Sequence, residues 1–282
     1  MQDAPNASDD PADPPVIGPV DAPAVHCVTL NLRRRVPRPA GHPDAWERRR
    51  DAVAALVTSE APTVLAVQEA LPTQVADLTA RTGSRWEPVV VGRGARGGGE
   101  AVGLLTDRER VRVVEQRTWA LSRTPSRPGS RSWATAFPRH AVGAVLDDLA
   151  TGTRFLAVAT HLDVVSPWAR LRGAQLLGRI VRDGGLPAVV MADWNCPAGS
   201  APWRALAEAG VTDTWSRASR AVTEPYGTYP HYGSPRVGGP RIDGVLATGD
   251  AVVERAAVST RRPGGAWPSD HAAVHAVLRW TP

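Results

Sequence analysis

Val189-Val-Met-Ala-Asp193-Trp-Asn195 is a short apolar run of strand type that ends abruptly in a carboxylate and an amide. The same pattern recurs upstream in Val28-Thr-Leu-Asn31, Leu65-Ala-Val-Gln-Glu69 and Phe155-Leu-Ala-Val-Ala-Thr-His161. Downstream, Arg241-Ile-Asp243 precedes another apolar strand and Ser269-Asp270-His271 opens the last one. Strands must surface somewhere, so any single polar ending carries little weight. Six endings drawn from Asp, Glu, Asn and His point to shared chemistry. If they converge, they supply hard oxygen ligands for Mg²⁺ or Mn²⁺ beside imidazoles suited to proton transfer or charge stabilisation.

Working outward, the apolar runs are short, β-branched and separated by Gly, Pro and charges. The pattern predicts strands at Val25–Leu32, Thr63–Gln68, Val89–Gly92, Ala101–Leu105, Val111–Val114, Ala141–Leu146, Phe155–Thr160, Ala188–Met191, Ile242–Ala247 and Ala272–Leu278. Helical periodicity falls at Asp44–Thr58, Leu71–Arg81, Pro167–Arg182 and Ser200–Glu208, the last with Ser200 as its N-cap. Strands outnumber helices and several have hairpin-length connections. That favours an α/β fold of mixed sheets with helices outside over strict βαβ alternation. Residues 1–24 carry five Asp and many Pro and Ala, which predicts a disordered tail before one domain over 25–282. Gly92–Glu100 reads as a flexible loop without the lysine or spaced glycines of a nucleotide-binding loop. Tyr226–Pro240 reads as a functional loop.

With 282 residues, 43% hydrophobic and 22% charged, the composition is that of a globular protein. No apolar run approaches the roughly 20 residues needed to cross a bilayer, so no membrane insertion is expected. Met1 to Asp13 lacks the basic and apolar regions of a secretory signal, and the expected location is cytoplasmic. All 33 basic residues are arginine and the formal charge is +5. Arginine suits phosphate and a nucleic-acid reading is open, but codon bias is the preferred explanation of an arginine-only chain. The Arg33–Arg35 and Arg48–Arg50 runs read as solvated faces. Cys27 and Cys196 read as packed thiols.

The motifs and their order resemble the endonuclease/exonuclease/phosphatase superfamily, from Thr29-Leu-Asn31 to Ser269-Asp270-His271. Within it, Leu121–Trp133, Phe137-Pro-Arg139 and Thr160-His-Leu-Asp163 resemble a bacterial subgroup related to deadenylases. The resemblance implies a four-layer α/β sandwich of two mixed β-sheets packed face to face, with helices outside. It implies Glu69 as principal ligand of Mg²⁺ (or Mn²⁺), with Asn31 and Asp270 beside it. Asp193 would activate the attacking water and Asn195 would position it or contact phosphate. His271, held by Asp243, and His161, held by Glu100, would bond phosphoryl oxygens as charge builds, and Arg139 and Thr228 would lie near the phosphate. The chain departs from relatives at Ala192 and Trp194, where Gly and Phe are common, and at Val164. Arg33 stands where abasic-site enzymes carry Asp, which removes a possible metal carboxylate.

Other polar residues have structural readings. His140 would point to the opposite face of its strand from Arg139, and His231 would be a surface histidine. Asp163 would cap the turn into the next helix. Trp133, Trp194 and Trp203 would cover the core. The function expected is divalent-metal-dependent phosphoester hydrolysis, by a phosphatase or phosphodiesterase, with a phosphorylated small molecule or a nucleic acid as substrate. A nuclease using the same site, and a non-catalytic phospholigand-binding protein, are the alternatives. No obligate protein partner is evident.

Overall fold

Both faces of β1 (Val25–Asn31) are buried, so layers must lie on both sides of it. Cys27, Thr29 and Asn31 face inward, while Val28 and Leu30 pack outward against helices. The computed structural model describes residues 14–280. After β1 come α1 (Trp46–Glu60), β2 (Val64–Ala70), α2 (Pro72–Thr82), β3 (Trp86–Gly92), β4 (Ala101–Asp107), β5 (Val111–Ala120), β6 (His140–Asp148) and β7 (Arg154–His161). The second half holds α3 (Pro167–Gly184), β8 (Ala188–Asp193), α4 (Ala201–Glu208), β9 (Val211–Asp213), α5 (Thr214–Arg217), β10 (Arg220–Ala221), β11 (Asp243–Thr248), β12 (Ala251–Ser259) and β13 (Ala273–Trp280).

The strands form a seven-stranded sheet, β10-β12-β13-β1-β2-β4-β3, and a six-stranded sheet, β5-β6-β7-β8-β11-β9. Both are mixed: β1–β2 and β7–β8 are parallel, whereas β1–β13 and β8–β11 are antiparallel. Cys27, Val64, Leu104 and Leu278 of one sheet meet Val142, Phe155, Val189 and Val245 of the other in a shared core. The first sheet's outer face packs on α1 and α2 through Leu30, Val53, Leu65 and Leu78. The second sheet's outer face packs on α3 and α4 through Val158, Leu177, Val190 and Leu206. The result is the four-layer sandwich implied by the resemblance.

Every expected strand and helix is present, with ends shifted by a few residues. Strand β12 escapes a sequence reading because a bulge between Val253 and Arg255 breaks its two-residue alternation. Ser200 does precede α4, but its hydroxyl makes no cap bond. Residues 16–18, placed in the expected disordered tail, instead dock on the end of α1. The buried Glu60 carboxylate accepts the N–H groups of Val16, Ile17 and Gly18 at 2.7, 3.0 and 3.0 Å. Residues 1–13 of that tail lie outside the described residues. Both cysteines are buried and free.

Arg49 corrects the reading of its run as solvated. It sits three residues after Trp46 and four before Val53, on the buried stripe of α1, and is wholly inaccessible. Its guanidinium donates to the carbonyls of Leu32, Arg33 and Pro268 at 2.8, 2.9 and 3.0 Å, tying the exit of β1 to the entry of β13.

Gly244 has no room for a side chain: an added Cβ would lie 2.5 Å from a Trp203 ring carbon. Gly244→Ala is expected to cost about 1–3 kcal/mol and to lower the melting temperature by several degrees in calorimetry. Gly249→Ala, where nothing lies within 4 Å, should leave it unchanged.

Candidate active site

Strand register assembles the site. His161 pairs with Asp193 across β7 and β8, and Asp193 pairs with Asp243 across β8 and β11, so the three side chains stand side by side. From the facing sheet, the Asn31 amide donates to Glu69 Oε1 at 3.2 Å and to Asp193 Oδ2 at 3.0 Å. Glu69 would point toward the helices if β2 kept its alternation, because Gln68 is the residue paired with Asn31. A register shift between Val67 and Ala70, with Glu69 at φ 53°, turns its carboxylate into the site.

Two buried carboxylates side by side require a cation. His271 provides it: Nδ1 lies 2.9 Å from Asp243 Oδ2, and Nε2 lies 3.9 Å from Asp193 Oδ2. Burial opposes the charged ring, but Asp243 and Asp193 outweigh it and raise the pKa to about 10. Asp193 moves up to about 7, through burial first and then the neighbouring Asp243 charge. It is thus poised to hold or release a proton near neutrality. Its Oδ1 accepts the Asn195 N–H at 2.9 Å. Asn195 adopts φ 51°, which asparagine tolerates, and its amide donates to the Leu162 carbonyl at 3.0 Å and lies 2.8 Å from His161 Nε2.

His161 has the opposite character. Burial, then the Arg139 charge, pushes its pKa well below the ordinary value, so the ring is neutral at pH 7. It is not held by Glu100, as the resemblance implied. Glu100 instead pairs with Arg93 at 2.7 Å and Arg34 at 3.2 Å, because these guanidiniums crowd the mouth of the Gly-rich loop. Thr228 also departs from expectation. It is fully buried, and its hydroxyl accepts the N–H groups of Ile242 and Asp243 at 2.9 and 3.0 Å, so it positions Asp243 from behind.

These groups open into a cavity of about 450 Å³ lined by Glu69, Arg139, His161, Asp193, Asp270 and His271, among others. Arg139 is buried with Nε 3.5 Å from Asp163 Oδ2. Asp163 caps the turn as expected, accepting the N–H groups of Val165 and Ser166 at 2.9 and 2.7 Å. His140 faces away and contacts the Val91 carbonyl at 2.8 Å. Trp194 and Trp203 are buried, as expected, while Trp133 lines a separate cleft. His231 is exposed.

Sequence reasoning missed Arg33, Arg34, Arg93 and Tyr229, all of which line the cavity. Arg33 leaves its supposedly solvated run because φ 53° turns it inward. Its Nε approaches Asp44 at 3.2 Å and Asp270 at 3.7 Å, and its Nη1 approaches Glu69 at 3.8 Å. The preceding polar strand end and the first family motif were the available signals. Tyr229 lies beside His271 with ring centroids 4.7 Å apart and planes tilted by 51°, which gives the Tyr226–Pro240 loop a place at the site.

The donor set suits a hard divalent ion. Glu69 and Asp270 offer carboxylates that face Arg33 only beyond hydrogen-bonding distance, at 3.8 and 3.7 Å. Asn31 Oδ1 accepts the Arg33 N–H at 2.8 Å, which leaves it one further lone pair. Asp193, Asp243 and His271 also cluster, but an imidazolium occupies the cationic role there.

The raised pKa of His271 has a signed consequence. Its pairing stabilises the fold fully below the unfolded value of about 6.5 and is lost as pH rises through about 10. In metal-free protein, NMR titration should find His271 protonated at pH 8. In Asp243→Asn the pKa should fall, with stability lost at correspondingly lower pH. An unchanged His271 titration would contradict the assignment of Asp243 as its main partner.

The sequence matches the Endonuclease/Exonuclease/phosphatase family over residues 28–271. No curated protein sequence matches it. Among solved structures, an endonuclease/exonuclease/phosphatase from Bacteroides vulgatus is 27% identical with TM-score 0.84, covering 92% of this chain and 99% of that one. The mannosyl-6-phosphatase of Bacteroides thetaiotaomicron VPI-5482 is 23% identical with TM-score 0.83, covering 91% of this chain and 100% of that one. The human Nocturnin catalytic domain is 17% identical with TM-score 0.67, covering 93% and 96%. The last two speak to the fold. Fold and family match agree: the chain belongs to the endonuclease/exonuclease/phosphatase family of phosphoester hydrolases.

Proposed function

We propose that this protein hydrolyses phosphoesters with a divalent ion, Mg²⁺ or Mn²⁺, by in-line attack of water activated at Asp193. The observation that carries the reading is the single cavity into which Asp193, His271, Glu69 and Arg139 open from two facing sheets. Glu69 and Asp270 would hold the ion, which supplies charge neutralisation at the phosphoryl oxygens when bound.

The chain's own groups divide the remaining work. Asp193 Oδ2 takes a proton from water, and Asn31 and Asn195 fix the orientation of its carboxylate. His271 donates from Nε2 to a non-bridging oxygen as charge builds, and Asp243 keeps the ring protonated. The neutral His161 ring, fixed through Asn195, adds a polar wall that excludes bulk water. Arg139 holds the phosphate, and Arg34 and Arg93 supply positive charge at the mouth. No covalent nucleophile is required. The substrate is a soluble phosphomonoester or phosphodiester, and a polynucleotide diester would use the same groups.

The test is a panel of nucleic acids, nucleotides, sugar phosphates and inositol phosphates assayed with and without Mg²⁺ or Mn²⁺. Turnover should appear with the ion and disappear with a chelator. Asp193→Asn should lower kcat by about 10³-fold, within the range for a lost general base. Glu69→Gln should weaken Mn²⁺ binding measured directly by calorimetry. No turnover on any member of the panel, with phosphoester binding intact, would establish the non-catalytic alternative.

A further inference from the structure

Trp168, Arg172, Gln175 and Arg179 recur at intervals of four, three and four along α3, which places them on one stripe of the helix. Arg123 and Trp133 face that stripe from the connection between β5 and β6, and the six residues line an open cleft of about 280 Å³. None of them lines the catalytic cavity. The cleft has no acidic side chain. Among the described residues, none of its three exposed arginines pairs with a carboxylate; the contact of Arg172 is Gln175 Oε1 at 3.1 Å.

The aromatic groups are as distinctive as the charges. Trp168 is 53% exposed, whereas Trp194 and Trp203 are buried. Trp133 adopts φ 59°, a left-handed conformation that an aromatic residue rarely takes, and the Ser166 hydroxyl donates to its carbonyl at 2.8 Å. That bond ties the loop to the start of α3 and keeps the Trp133 backbone beside the helix. A simple anion would use the arginines and leave both indoles idle. An apolar peptide would leave three cations unpaired. A chain that alternates planar bases with phosphates satisfies both.

We propose that this cleft binds single-stranded nucleic acid outside the reaction centre, with phosphates on Arg123, Arg172 and Arg179 and a base stacked on Trp168. The turn at 163–167 links the two sites, since Val164 lines the catalytic cavity and Trp168 the cleft. A strand crossing that turn would reach Arg139. The inference rests on the hydrolase reading only for what happens to the strand there; binding needs none of the catalytic groups.

Fluorescence anisotropy of labelled oligothymidylate and oligoadenylate, with the full chain in EDTA, tests binding apart from turnover. Wild type should bind, with affinity falling steeply between about 50 and 200 mM salt. The double variant Arg172→Glu/Arg179→Glu should weaken binding by at least about tenfold. Trp168→Ala should weaken it by about tenfold while leaving heparin, a polyanion without bases, bound as before. Circular dichroism and hydrolysis of a small phosphoester report whether both variants are folded. The proposal fails if wild type binds neither oligonucleotide, or if folded variants bind as wild type does. It fails equally if Trp168→Ala weakens heparin and oligonucleotide alike. Absence of turnover on every phosphoester tested, nucleic acids included, would instead remove the hydrolase reading and leave the binding result standing.

Discussion

Asp193 and Asp243 are paired neighbours on β8 and β11, both buried, and the site depends on how their charges are managed. Two adjacent carboxylates in a low-dielectric setting cannot both ionise without a cation. His271 meets that need from the other sheet, so the imidazolium stabilises the junction and lines the cavity. Burial first and then the Asp243 charge raise the Asp193 pKa, whereas burial opposes the raised pKa of His271 and the Asp243 and Asp193 charges overcome it. The pair of sheets therefore closes on its own chemistry: Asn31 and His271 from one sheet reach Asp193 and Asp243 of the other.

Backbone exceptions deliver the remaining groups. Glu69, Arg33 and Asn195 all adopt positive φ at the ends of strands, where the ladder no longer dictates direction. Each exception turns a side chain toward the cavity. Arg49 holds this arrangement from below, because its guanidinium supplies donors to carbonyls at the exit of β1 and the entry of β13 that no strand partner satisfies. Ser269 adds a second tie, donating to the Asn31 carbonyl at 2.6 Å. Both donors brace the ends of the neighbouring strands β1 and β13 within the first sheet, where Asn31 and His271 are presented.

The arginine-only composition separates into roles by environment. Arg49 is an internal strut, Arg33 faces Glu69 and Asp270, and Arg34 and Arg93 engage Glu100 at the mouth. Arg123, Arg172 and Arg179 border a cleft with no acidic partner. Placement decides what each guanidinium does, since its planar fork suits carbonyls, carboxylates and phosphates alike.

The order of elements, the mixed sheets and the polar strand ends were legible in the sequence, because period-two alternation and the residues that interrupt it are local. Asn31, Glu69, His161, Asp193, Asn195, Asp243, Asp270 and His271 could all be singled out as chemistry-bearing for the same reason. Their partners could not. That Glu100 faces arginines and not His161, that Thr228 lies behind Asp243, and that residues 16–18 cap Glu60 are outcomes of contacts distant along the chain. Protonation followed the same division: sequence supplies an imidazole at 161 and another at 271 with equal intrinsic affinity for a proton. Only the tertiary structure makes one neutral and the other cationic, because burial opposes the charge on both rings, the Arg139 charge adds to it at His161, and the Asp243 and Asp193 carboxylates overcome it at His271.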